Sequence, residues 1–143
     1  KAFFALLNQG KASVALDFSS AADRAALRAL LKRADIVIEA SRPRALRNLG
    51  LDADTIIREQ PGLVWLTLTA HGATGEQADW VGFGDDCGVA AGLSSMLRQA
   101  SGVSGFVGDA IADPLTGLNA ALIGWTAWRT PCSSATAAAC RAA

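Results

Sequence analysis

Three short apolar runs constrain this chain more than any other feature: SVALDF at residues 13–18, DIVIEA at 35–40 and LVWLTLTA at 63–70. Each is too short for a stable helix, and a segment with helical spacing separates each from the next. Strands that alternate with helices pair in parallel, with right-handed crossovers that lay the helices on the sheet faces. The expected fold class is therefore α/β, a parallel sheet with flanking helices. DIVIEA, flanked by acidic residues, has the compact apolar character of a buried parallel strand, and LVWLTLTA is the strongest strand in the chain. In such sheets ligands bind beyond the carboxyl ends of the strands, which here fall at residues 18–19, 39–42 and 70–72.

The segments between the runs carry start and stop signals. Ser20 can cap a helix over 22–33, with Asp23 at its third position, Ala26, Leu27, Leu30 and Leu31 on one side and Arg24, Arg28 and Lys32 on the other. SRPR at 41–44 reads as a loop, and 45–49 as a short helical turn ended by Gly50. A second helical pattern over 51–60 starts at Asp52 or Asp54 and stops at Pro61-Gly62. Residues 71–82 are loop-like, and 82–97 pass from glycines and acids into a small-residue helix suited to close packing on another. A second loop over 99–112 leads to a final helix from Pro114 to about Trp128. From 130 onward Ala, Ser, Thr and Cys dominate with no apolar period. The organisation is thus part of one domain over 1–129 and a low-complexity, divergent tail over 130–143.

Composition narrows the function classes. The chain has 143 residues, 51% of them hydrophobic and 18% charged, which excludes a disordered linker. Basic and acidic residues number 13 each, so no global field draws nucleic acid or an anionic membrane towards it. Positive charge nevertheless gathers in the first third, as a solvated face or as a ground for a phosphate-bearing ligand. The longest apolar run, 118–128, is interrupted by Asn119 and Thr126 and is too short to span a bilayer. Cys87, Cys132 and Cys140 form no disulfide framework, and no secretory cleavage pattern follows Lys1, so the expected compartment is the reducing cytoplasm. One histidine and no cysteine pair at zinc spacing argue against a metal site. Neither a Walker loop nor a GxGxxG fingerprint is present. The chain has no starting Met and begins within an element, as a piece of a longer protein would.

Chemistry concentrates in GDAIADPLTGL, residues 108–118, where a glycine-containing loop meets an apolar helix. Asp113 before Pro114 reads as an N-cap followed by proline at the first helical position. The same placement sets a carboxylate at the positive end of a helix, where ionisation is favoured. Cap and nucleophile both remain open from spacing alone. Asn8 and Lys11, in NQGK, can offer an amide and an ammonium to a phosphate or can form a solvated turn. Ser41 and Arg42 at a strand end carry the same two readings. Asp85 and Asp86 cap the helix that follows them, and His71 reads as a hydrogen-bonding loop residue beside a strand end.

Five segments together carry a resemblance. NQGKASVALDF, ADIVIEASRPRALRNLGL, PGLVWLTLTAHGATG, GDDCGVAAGL and ADPLTGLNAAL, in that order and spacing, resemble the family III CoA-transferases. That family includes formyl-CoA and carnitine CoA-transferases and 2-methylacyl-CoA racemase.

The resemblance implies a Rossmann-like large domain, of which this chain is a fragment, and two subunits threaded as interlocked rings in the full-length homodimer. It implies that Asp113, with Gly117 four residues on, is the nucleophile; Asp109 fits less well, because four residues after it stands Asp113 and not glycine. It implies that coenzyme A is a substrate, with no permanently bound cofactor, and that acyl-CoA and carboxylic acids are the partners. Asn8, Lys11, Ala40, Ser41 and Arg42 then lie along the CoA path, Lys11 and Arg42 at phosphates. Family members often carry an Asn-aromatic pair where this chain has Ala40-Ser41. The racemase branch carries a histidine before the small-residue helix, where this chain has Phe83-Gly84-Asp85-Asp86, so the resemblance favours transfer; it also gives Asp85 or Asp86, beside the capping role, a part in orienting the acyl group or the anhydride. Racemase-type isomerisation, or a fragment with at most weak CoA binding, are the alternatives.

Overall fold

The computed structural model describes residues 2–41 and 43–130, with the side chain of Pro43 excepted. Arg42 and the tail from 131, including Cys132 and Cys140, lie outside the described residues. The elements follow in the order α1 (Ala2–Leu7), α2 (Ala21–Leu31), β1 (Ile36–Glu39), α3 (Pro43–Asn48), α4 (Ala53–Glu59), β2 (Val64–Thr67), α5 (Gly84–Ala90), α6 (Leu93–Ser101) and α7 (Ala112–Arg129), with a 3₁₀ turn at Glu76–Asp79. The result is a mixed α/β fold with a small parallel sheet and flanking helices.

β1 and β2 pair in parallel, Ile36 opposite Val64 and Glu39 opposite Thr67. Successive residues of a strand point to opposite faces, and β2 uses both. Leu63 and Trp65 join Val37, Leu51, Ile56 and Ile57 in one core, against which Leu27, Leu31 and Leu46 pack. Val64 and Leu66 face the other way and meet Ala120 of α7, with Ile36, Leu68 and Ile123 around them. Gly124 lets α7 approach closely: a Cβ there would sit 3.1 Å from Leu66 Cδ1. β1 is less enclosed than a parallel strand buried on both faces, because Ile38 is 57% exposed.

Local signals hold where the chain makes its own contacts. The Ser20 hydroxyl accepts the Asp23 N–H, and the Asp52 carboxylate accepts both the N–H and the hydroxyl of Thr55, which holds its pKa below the ordinary carboxylate value. Gln60 Nε2 donates to the Ala34 carbonyl at 2.9 Å, tying the end of α4 to the approach of β1. Other expectations fail, among them the loop over 41–44, since α3 already begins at Pro43. Residues 13–18 form no strand: a strand needs a neighbouring backbone, and among the described residues only β1 and β2 pair. Val14 and Leu16 instead line a shallow groove with Ala26 and Leu30 of α2. The helix expected over 82–97 is two, α5 and α6, broken at Gly92, whose φ of 90° is a left-handed conformation that glycine adopts without a side-chain clash. α7 starts at Ala112, earlier than Pro114.

Among the described residues, no helix is long and apolar enough to cross a membrane. Leu118, Leu122 and Trp125 leave much of α7 apolar and exposed.

Leu66 is fully buried between sheet and helix. Leu66→Ala is expected to cost about 2–5 kcal/mol, read as a lower urea midpoint with an unchanged slope.

Candidate active site

The parallel pairing brings the carboxyl ends of both strands to one edge. Ala40 and Ser41 follow β1 there, and Leu68, Thr69 and Ala70 follow β2. With Ala78, Trp80, Val81 and Gly82 they line an open cleft of about 200 Å³. Ser41 is committed locally, its hydroxyl and N–H both donating to Glu39 Oε2, at 2.6 and 2.9 Å. Ala40 is exposed beside it.

Asn8 and Lys11 stand together at the end of α1. Asn8 Nδ2 donates to the Phe4 carbonyl at 2.9 Å, and Lys11 Nζ reaches Asn8 Oδ1 at 3.5 Å. The lysine is exposed, so its ammonium is open to a solvent-borne anion. The structure thus gathers the predicted ligand residues as two local pairs on separate elements.

Behind the cleft residues Ala70 and Gly82 stands α5. Cys87 Sγ lies 3.8 Å from the Ala70 carbonyl, and Gly82 fits tightly between them: a Cβ there would come within 2.4 Å of Ala70 Cβ and 3.0 Å of both Cys87 Sγ and His71 Nε2. His71 is largely covered and set edge-on to Trp80, with ring centroids 5.8 Å apart. Its Nε2 lies 4.0 Å from Asp86 Oδ2, a charged pair only when the imidazole is protonated. The fold therefore brings the histidine against the first turn of α5, although fifteen positions separate it from Asp86. Its neighbours are a carboxylate and a ring edge, where a hydrogen bond was expected.

Two adjacent aspartates on α5 do different work. Asp86 Oδ1 accepts the Phe83 N–H at 2.6 Å and so closes the start of α5, as expected of a capping acid. Asp85 Oδ1 instead accepts the N–H of Ala110 at 2.8 Å, twenty-five residues away. Sequence reasoning missed this contact, because nothing in the spacing of GDD foretells a partner so distant.

Asp113 occupies the first turn of α7. It is not the N-cap: Ile111 precedes the helix in αR conformation, and no side chain caps it. Pro114 is accordingly the third helical residue. The Asp113 N–H donates to the Ala110 carbonyl at 3.0 Å. The carboxylate remains at the positive end of the helix, and Asp113 is exposed among the described residues. Its charge is felt at Cys87. Burial pushes the Cys87 thiol above its ordinary pKa, and the Asp86 and Asp113 carboxylates push it further. Asp113 thus lies electrostatically close to the residue that backs the cleft.

This parallel sheet edge, its cleft and the aspartate at the helix start occur in a chain whose residues 1–128 match CoA-transferase family III. The chain belongs to that family. It is 31% identical over 117 residues to a succinate–glutarate CoA-transferase of Agrobacterium fabrum, covering 82% of this chain and 29% of that protein. It is 28% identical over 78 residues to an acetyl-CoA:oxalate CoA-transferase of Acetobacter aceti, covering 54% of this chain and 20% of that one. Its structure resembles the crystal structure of a hypothetical protein, Rv3272, from Mycobacterium tuberculosis, with a TM-score of 0.79 and 25% identity across 94% of this chain and 38% of the other. A CAIB/BAIF family protein from Brucella suis superposes with a TM-score of 0.63 at 27% identity, over 82% of this chain and 31% of that structure. The chain therefore spans about a third or less of the length of the curated relatives named.

If Asp113 raises the Cys87 pKa through space, Asp113→Asn is expected to lower it. Iodoacetamide labelling of Cys87 followed against pH should then show its midpoint move down, with faster labelling at fixed pH below it. An unmoved midpoint would separate the two residues.

Proposed function

We propose that the intact protein transfers coenzyme A from an acyl-CoA to a carboxylic acid, with Asp113 as the nucleophile. The observation that carries this reading is the position of Asp113 in the first turn of α7, its N–H bonded to the Ala110 carbonyl and Ala110 bonded in turn to α5, the helix that packs behind the cleft residue Ala70. A carboxylate is a weak nucleophile towards a thioester, so covalent capture helps by dividing one difficult exchange into easier ones. One Asp113 oxygen attacks the thioester carbonyl carbon, the C–S bond breaks, and CoA leaves as its thiolate. The product is a mixed anhydride. The thiolate then attacks the aspartyl carbonyl, expelling the donor's acyl group as a carboxylate and leaving an enzyme–CoA thioester. The acceptor carboxylate attacks that thioester, and the released thiolate takes up the acceptor's acyl group, freeing Asp113. Backbone N–H groups near the start of α7 are suitable donors to the tetrahedral oxyanions.

In this reading CoA is a substrate and not a resident cofactor. Lys11 and Arg42 meet its phosphates, Asn8 an adjoining polar group, and Ala40 and Ser41 the chain that runs through the cleft. Residues 1–129 are part of a larger Rossmann-like domain, and 130–143 are a divergent tail. The intact protein is a homodimer of interlocked subunits working in the reducing cytoplasm. The exposure of Asp113 fits a site that other parts of the protein or a second subunit complete, since a thioester attack gains from excluding water.

Incubating the intact protein with an acyl-CoA and hydroxylamine is expected to leave a hydroxamate at Asp113, detectable by mass spectrometry. Asp113→Asn should lower CoA transfer by about 10³-fold or more, as loss of a covalent nucleophile does. An unmodified Asp113 with transfer intact would sink the assignment. Racemisation keeps one supporting observation, the packing of His71 beside Asp86 at the start of α5. It predicts deuterium from solvent at the α-carbon of a 2-methylacyl-CoA with no acceptor acid present; transfer alone predicts none.

A further inference from the structure

The reacting carboxylate must be held still, and α7 provides no side-chain cap to do so. The backbone ahead of it is also unfavourable. Ala110 has a φ of 48°, the only left-handed non-glycine residue among those described. For a residue with a Cβ that conformation is disfavoured and persists only where surroundings impose it.

Asp85 imposes it. Its Oδ1 accepts the Ala110 N–H at 2.8 Å, while the Ala110 carbonyl accepts the Asp113 N–H at 3.0 Å. A single residue thus joins the carboxylate of α5 to the amide of the proposed nucleophile. The contact is close as well as polar. A Cβ on Gly84 would lie 2.6 Å from the Ala110 oxygen and 2.7 Å from its Cβ, so α5 and the turn before α7 meet with no room for a larger residue. Capping does not account for Asp85, because Asp86 already bonds the Phe83 N–H. A favourable charge in the first turn of a helix does not account for it either, because that effect needs no partner on another element, whereas this oxygen is bonded to a residue twenty-five positions away.

We propose that Asp85 is a positioning residue for Asp113, acting through Ala110: its carboxylate fixes the left-handed turn from which α7 starts and so sets the attack geometry of the Asp113 carboxylate. The proposal rests on the reading of Asp113 as nucleophile. Small displacements of a reacting group are costly, a 1 Å error being worth about 100-fold in rate. Asp85 touches neither substrate nor reacting atoms, so its removal should act on turnover more than on substrate binding.

The test uses the intact protein and two independent readouts. The first is hydrogen exchange at the Ala110 amide, which is expected to be slow in the wild type and in Asp113→Asn and at least about tenfold faster in Asp85→Ala, where the acceptor is gone. The second is CoA transfer per folded molecule. Asp85→Ala should lower kcat by about 10–100-fold with KM for acyl-CoA changed less than about threefold. Asp85→Asn keeps an acceptor oxygen and should recover most of that loss. Gly84→Ala, which leaves Asp85 intact but pushes against Ala110, should lower kcat in the same manner. Ala110 exchange unaltered by Asp85→Ala overturns the clamp, as does an Asp85→Asn variant as slow as Asp85→Ala. Full transfer by Asp113→Asn overturns the nucleophile reading instead, and the exchange readout still decides whether Asp85 holds the turn.

Discussion

Everything else in this fold follows from the parallel pairing of β1 and β2. A parallel pair cannot be closed by a tight turn, so the chain must travel the length of the sheet before the second strand begins. α3 and α4 make that journey and cover one face; α7 covers the other. Pairing Glu39 with Thr67 sets both carboxyl ends at one edge, and the segments that leave them, 40–41 and 68–70, become the walls of one cleft. The candidate site depends on that shared edge before it depends on any particular side chain.

α5 links the cleft to the proposed nucleophile. Its first turn meets the β2 exit through Cys87, His71 through Asp86, and the approach of α7 through Gly84 and Asp85. Small residues make this possible, since Gly84 and Gly88 are buried where the helix touches its neighbours. One short helix thereby connects the cleft edge of the sheet with the turn preceding Asp113.

Much of this was legible in the sequence, and what was not has physical causes. The two paired strands, the Ser20 and Asp52 caps and the close packing of the 84–90 helix rest on local patterns, which the fold keeps. The run at 13–18 has a strand's composition, but composition cannot supply a partner backbone, and Val14 and Leu16 settle over α2 instead. Asp-Pro at 113–114 looked like a cap because those residue types favour caps; the helix begins earlier because the left-handed Ala110 turns the chain at that point. The Asp85–Ala110 bond and the approach of His71 to Asp86 join residues distant in sequence, where periodicity carries no information. The family resemblance, by contrast, needed only the order of five segments, and the match over residues 1–128 agrees with it.

The way α7 lies on the sheet has a mechanical consequence. Its only buried residues are Ala120 and Gly124, so the helix is seated on β2 over its middle and runs on towards Asp113, where α5 meets it, without a further buried residue. At 1.5 Å of rise per residue, Asp113 stands about 16 Å from Gly124 along the axis, and a tilt of about 4° there would swing its backbone by about 1 Å. The helix is a lever with its fulcrum in the core and its tip at the turn that α5 holds. A methyl group added at the fulcrum would be read at the tip as a displaced carboxylate, so the stability of the core and the placement of Asp113 would be tuned by the same two residues.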